Sequence, residues 1–313
     1  MAINRASIAK ELLPGLNAVF GMEYGEVSDE HAPLFETENS DRAFEEEVLF
    51  TGFGTAPTKG EGAAVSYDDA QESYTARYTH ETIALAFAVT EEAMEDNLYD
   101  TFAKLRARGL ARAMANTKQV KAADVFNNGF NATYVGGDGV ELFSASHATI
   151  GAGPQSNYIG ATDLSEAALE AALIQISKAK DDRGILIGLQ AKSLHIPSDL
   201  AFVADQILNS TMSTRIGVNP TTAANGATNV NDINSIRNQG LVPGGFYVNR
   251  RFTDTDAWFI KTDCPNGAKM FVRAPLQTKM EPDFDTGNLR FKARERYSFG
   301  WSDWRGFYGS EGA

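Results

Sequence analysis

The spacing of apolar residues changes several times along this chain, and each change marks an element. Ile83, Leu85, Phe87 and Val89 alternate with other residues, the period of a strand with one buried face. Read as one extended piece, residues 74–89 would span roughly 50 Å at strand rise. At Thr90 the period switches. Met94, Leu98, Phe102 and Leu105 follow at helical spacing, with Thr90 as N-cap and Glu91 and Glu92 in the first turn, where the helix dipole favours anions. No proline interrupts residues 91–128, and Asn127, Asn128 and Gly129 supply a stop. The pattern predicts one helix of roughly 57 Å, with Gly109 as the place for a bend.

Upstream, residues 5–20 predict a short helical stretch broken at Pro14 and Gly15. Residues 21–47 are polar and acidic with little periodicity, an arm rather than a core element. Residues 43–50 and 74–89 bracket a Gly/Pro-rich stretch, which predicts a long hairpin with "GTAPTKGEG" (54–62) in its distal loop. Downstream, a second unit starts near residue 161. Its first helix has Asp163 and Glu166 as a cap pair, Leu169, Leu173 and Ile176 on one face, and Gly184 beyond its end. "SLHIP" reads as a buried strand, and "SDLAFVADQILNS" as a helix capped by Ser198. Residues 217–232 form a polar loop, "GGFYVNRRF" and "AWFIKTD" are strands, and the last 44 residues carry a hairpin around "DTGN".

At 313 residues the chain suffices for about two domains, and 43% hydrophobic with 22% charged residues describes an ordinary globular protein. Lys10 and Glu11 interrupt what a signal peptide would need to be apolar, and residues 83–89 are too short to span a bilayer. One cysteine, Cys264, precludes an intramolecular disulfide and fits a reducing, cytoplasm-like compartment. The net charge of −13 is unevenly spread: residues 23–100 hold 20 Asp/Glu against 3 Lys/Arg. A tight DNA binder needs the opposite excess, so sequence-specific DNA binding is excluded. The acidic third is a solvated face or a segment steered onto basic surfaces.

Motifs for chemistry fail one after another. "GTAPTKGEG" nearly spells a phosphate loop, but Lys59 precedes Gly60, Glu61 stands where a magnesium-binding hydroxyl belongs, and Pro57 removes an amide donor. Ser144, Ser146 and His147, with Asp138 nearby, suggest a hydrolase triad, yet no GxSxG elbow is present. His31, His80, His147 and His195 lack zinc-ligand spacing. Residues 283–288 imitate half a calcium loop and read as a hairpin turn; Asp254 and Asp256 belong to a loop between strands. Cys264 is an incidental thiol. Tyr297, Phe299, Trp301, Trp304, Phe307 and Tyr308 could stack bases, but strand alternation makes them core. No catalytic, cofactor or metal site emerges. The residues point away from an enzyme, with a hydrolase using Ser146 and His147, or a tail or adhesin protein, as alternatives.

The order of parts, together with "NSDRAFEEEVLFTGFGTAPTKGEGAAVSYDDAQESYTARYTHETIALAFAVTEEAMEDNLYD", "YVGGDG", "FTDTDAWFIKTDCPNG" and "TGNLRFKARERYSFGWSDWRGFYG", resembles the major capsid proteins of tailed bacteriophages, in particular the major head subunits of Mu-like and marine phages. The resemblance runs end to end. It implies an α+β fold of the Hong Kong 97 type: an N-terminal arm at 1–41, an extended E-loop at 42–82, a peripheral domain at 83–160 and 270–313 with a spine helix at about 91–128, and an axial domain at 161–269. It implies a shell of hexamers and pentamers around double-stranded DNA, assembled in the host cytoplasm and located in the virion. Portal and scaffold proteins, or an already matured chain, and a decoration protein follow as partners, with no cofactor and no membrane. The loop tip with Lys59 would reach over an adjacent subunit; the lysine–asparagine isopeptide bond of some relatives is not carried over, for want of a partner asparagine and acid. Glu45, Glu46, Glu47, Lys59 and Arg77 on the arm side, and Arg290, Lys292, Arg294 and Arg296 on the basic side, are the expected interface residues.

Overall fold

A computed structural model describes residues 5–90, 99–212, 233–283 and 286–313. Two four-stranded sheets and a two-stranded hairpin organise it. The first sheet has the order β1-β8-β9-β4, from β1 (Glu36–Asn39), β8 (Ala268–Pro282), β9 (Leu289–Trp301) and β4 (Glu81–Val89). The second has the order β10-β7-β5-β6, from β10 (Phe307–Ser310), β7 (Trp258–Thr262), β5 (Ala191–Ile196) and β6 (Phe246–Val248). β2 (Phe44–Phe50) and β3 (Glu72–Thr79) make the antiparallel hairpin that their flanking pattern predicts.

Two helices cover one face of the first sheet. α1 (Arg5–Glu26) and α2 (Tyr99–Asn127) pack on each other and on β9, through Leu16 and Phe20, the small residues Ala103, Ala107 and Ala111, and Phe291 and Ala293. The alanines let the helices approach closely, and the aromatic rings fill the space above the sheet. α1 corrects the expected break at Pro14 and Gly15. One proline removes one rung of the ladder at a cost of about 3 kcal/mol, and the burial of Leu16 and Phe20 beyond it outweighs that loss. α2 passes Gly109 without interruption. Thr90 joins the described residues, whereas Glu91, Glu92, Met94 and Leu98 lie outside them, as does the expected loop at 217–232.

The segment read as an arm rather than core is partly core. Leu34 and Phe35 are fully buried, and β1 pairs in parallel with β8 from Glu36 to Asn39. Its acidic surface hid two adjacent apolar residues that no periodicity could flag. Phe35 meets Phe126 of α2, whose ring also lies 5.4 Å from Phe259 and 4.9 Å from Phe307 of the second sheet. One aromatic cluster therefore joins both sheets.

The second unit adds α3 (Glu166–Ser177), α4 (Ala201–Asn209) and α5 (Ser235–Gln239), with Leu169, Ile176, Ala204, Ile207 and Ile236 packed on Leu194, Trp258 and Ile260. Two caps differ from expectation. Ser165 caps α3, accepting from the Ala168 amide, while Asp163 instead accepts from Ala313. Ser198 opens a 3-10 turn ahead of α4 and places no side-chain cap on it. β10 pairs with β7, so the chain's last strand lies in the second sheet.

Candidate assembly interface

The hairpin is closed at its root and open beyond it. On the inner face of β2, Glu47 meets Lys269 of β8 at 2.5 Å and also bonds Ser302. Lys269 binds Glu38 of β1 at 2.9 Å as well, and Tyr78 of β3 reaches the Ser302 hydroxyl at 2.5 Å. Burial alone would lower the Lys269 pKa, but its bonds to Glu47 and Glu38 outweigh that and hold it above its ordinary value. Two glycines permit the close approach: a Cβ on Gly300 would stand 2.8 Å from the Tyr78 ring, and one on Gly137 2.7 Å from the Thr75 carbonyl. His80, buried at the junction of β3 and β4, bonds Ser40 and Ser298 and ends the single extended piece expected over 74–89.

The outer face of the ribbon is Phe44, Glu46, Val48 and Phe50, with Arg77 stacked 4.0 Å over the Phe44 ring. Beyond it, residues 51–71 form a loop carrying Phe53, Val65 and Tyr67, the last 96% exposed. The Gly54 amide donates to Asp68 at 2.7 Å, so a carboxylate of the loop itself fills the place a phosphate would take. Asp68 also meets Arg183 at 2.8 Å, the contact that leans the loop on the second unit. Lys59 is exposed on this loop.

Strand alternation gives the first sheet a second, cationic face. Phe291 and Ala293 turn toward the helices; Arg290, Lys292 and Arg294 turn to solvent, with Arg296 half-buried. Arg290 is satisfied by Asp283, the turn residue once compared with a calcium ligand. Lys292 stands opposite Lys279 in the register; Lys279 pairs with Glu281, whose carboxylate also lies in the field of Lys292, and among the described residues neither Lys292 nor Arg294 makes an ion pair. Like charges directly opposite are destabilising. On β4 the same face presents Thr82, Ala84, Ala86 and Ala88, all exposed.

Of the expected interface residues, Glu46, Lys59, Arg77, Lys292 and Arg294 are available on the surface. Glu45 and Glu47 are not equally free, since Glu45 accepts from Ser40 at 2.7 Å and Glu47 is held at the root. Sequence reasoning treated the three glutamates as one patch, although their alternation already assigned Glu46 to the opposite face. It also missed the exposed apolar residues of the loop, because no period marks them. The hydrolase constellation is not assembled. His147 is buried and stacked 4.3 Å from Trp304, with Nδ1 at 2.5 Å from Asp138 and Nε2 at 3.0 Å from Asn157 Oδ1. Neither nitrogen is left for the exposed Ser146. Burial pushes the Cys264 thiol well above its ordinary range, keeping it unreactive. Among the described residues no group of acids, histidines and cysteine could hold a metal, and no helix is long and apolar enough to cross a membrane.

A family model described as phage capsid protein matches residues 72–310, most of the chain. This protein belongs to the phage capsid protein family. Its fold is similar to solved capsid structures at low identity. One is from the capsid of an empty GTA particle, with a TM-score of 0.55 and 13% identity over 92% of this chain and 91% of that one. Another is from Mycobacterium phage Adephagia, with 0.50 and 14% over 87% and 83%. A third, the capsid of Myoviridae phage XM1, gives 0.50 and 10% over 89% of each. A search of curated proteins finds no match. The family settles the broad question: this is a structural capsid protein of the Hong Kong 97-type fold that associates with its own kind in the virion shell, and not an enzyme.

Proposed function

We propose that this chain is the major head subunit of a tailed phage, forming hexamers and pentamers that close into an icosahedral shell around double-stranded DNA. The observation that carries the finer reading is the pairing of two deficits on one molecule. A loop of 51–71 holds large apolar side chains in water, and the open sheet face carries Lys292 and Arg294 without an ion pair among the described residues. Exposed apolar surface of this kind marks interaction sites.

In this reading residues 1–41 are the N-terminal arm, 42–82 the E-loop, 83–160 with 270–313 the peripheral domain around α2 as spine, and 161–269 the axial domain. The two separate sheets support that division, with β10 crossing into the second. Lys59 and Glu46 meet a neighbour, while Lys292 and Arg294 receive its acidic loop. DNA is enclosed without sequence reading, and portal, scaffold and decoration proteins join during assembly in the host cytoplasm. Many weak contacts repeated over identical copies give cumulative strength.

Expression alone and with a candidate scaffold, followed by negative-stain microscopy, tests the reading. Closed shells, tubes or capsomers are expected. A chain that stays a single ordered subunit at every concentration and with every co-expressed head component would falsify it.

A further inference from the structure

Two parts of the chain carry complementary deficits of backbone pairing. β4 is an edge strand, bonded to β9 alone, with a register that runs without a bulge from Glu81 to Val89. Among the described residues its outward N–H and C=O groups meet no backbone partner. Natural edges are protected by brevity, charge, proline or a bulge. β4 has nine residues, no proline, and a single charge at its first position. The opposite edge, β1, has only four residues. The middle of β4 is open on both sides: Ala84 and Ala86 are exposed on the cationic face, and Leu85 is 48% exposed on the other.

The loop between β2 and β3 shows the converse. Residues 63–70 contain neither Gly nor Pro, and residues 64–70 make no backbone-to-backbone hydrogen bond among the described residues. Val65 and Tyr67 are 63% and 96% exposed. Eight residues would span roughly 26 Å as a strand, against roughly 30 Å for β4.

We propose that residues 63–70 of one subunit add as a fifth strand to the outer edge of β4 in a neighbouring copy. The inference rests on the shell reading above and names the seat of the loop. Strand alternation puts Ser66 and Asp68 on one face and Val65 and Tyr67, followed by Asp69, on the other. That partition matches the two faces beside β4. Asp68 turns toward Lys292 and Arg294, two strands or roughly 10 Å away, a gap long cationic side chains bridge. Nothing stands between, because the register sets Ala86 opposite Lys292 and Ala84 opposite Arg294. Val65 and Tyr67 turn to the side of Leu85. On docking, Asp68 exchanges its two-pronged contact with Arg183 and the Gly54 amide for the neighbour's cations. The same fit gives an ion-pair partner to Lys292 and Arg294, which have none among the described residues.

Disulfide trapping tests this. Ser66→Cys is combined in turn with Ala84→Cys, Ala86→Cys and Ala88→Cys, in a Cys264→Ala background, and particles are oxidised mildly before non-reducing electrophoresis. The expected result is covalent oligomers from at least one pair in particles, with none from the single variants or from unassembled subunits. Asp68→Lys should cut the trapped yield by about tenfold while the subunit still melts cooperatively. Particles lacking the bond at all three positions overturn the proposal, as does cross-linking of Ala86→Cys alone, which would mean that two β4 edges pair with each other. Either result leaves the shell reading intact. A chain that never assembles overturns both.

Discussion

The two faces of the first sheet are made from the same strands and end in opposite conditions. On the covered face, Glu295 of β9 is 1% exposed and binds Lys118 of α2 at 2.8 Å, with the Tyr24 hydroxyl at 3.2 Å. On the bare face, one residue away along the same strand, Arg294 has no ion-pair partner among the described residues. A cation on the first face is part of the subunit's stability; a cation on the second is a cost to the subunit. The lesson is that a strand's period sorts its residues into those that serve the fold and those that serve what the fold will meet.

Truncations on the covered face should show the largest effect. Phe291→Ala removes a ring packed between Phe20 and Phe87, and is expected to cost about 3–5 kcal/mol in a denaturant melt of the subunit. Lys118→Met strands the buried Glu295 carboxylate and should cost a comparable 3–5 kcal/mol or so. A melt shifted by less than a third of that would break the contrast. Glu47→Gln, at the root of the hairpin, should cost about 1–2 kcal/mol, whereas Glu46→Gln on the outer face of the same strand should fall within about 0.5 kcal/mol. Equal effects would mean that β2 does not sort its faces as described.

An alkaline titration sharpens the same point. The Lys269 pKa is raised in the folded chain, so its contribution is complete below the unfolded value of about 10.4 and lost as pH rises through the folded one. Removing the partner with Glu47→Gln should bring that loss to lower pH. The smallest effect on folding belongs to the bare face. Lys292→Glu turns the contact with Lys279 from like to opposite charge but sets a carboxylate near Glu281, so it should change subunit stability by no more than about 0.5 kcal/mol while lowering particle yield. A variant that melts as the parent does and assembles normally would remove this face from the interface.

Much of the covered face was legible in the sequence. Alternation located β4 and β9, and β8 pairs with β9 as the expected hairpin; α2 lies in the proline-free run read as a helix, but Leu105 of the expected apolar stripe is exposed and alanines make the buried face. What escaped notice were the features that depend on distant partners. Leu34 and Phe35 sit in an acidic context and become core only because β8 and α2 receive them. Ser165 and Asp163 are both acceptable caps, and only the seating of the C-terminus decides between them. The functional side was read coarsely. Charge told that an acidic third and a basic strand exist, but not that Glu47 is spent within the subunit or that Tyr67 lies in water.

Lys269 also has a temporal consequence. It is 222 residues from Glu47, and Ser302 is 255 residues from that same glutamate. A ribosome that has made the whole hairpin has therefore not yet made what fixes its angle. The nascent chain can zip β2 to β3, but it cannot aim the loop until the last strands emerge and dock. Synthesis itself thus withholds the oriented limb from neighbouring chains until Ser302 has emerged, and a chain cut short before it would leave Glu47 and Tyr78 without their shared hydroxyl.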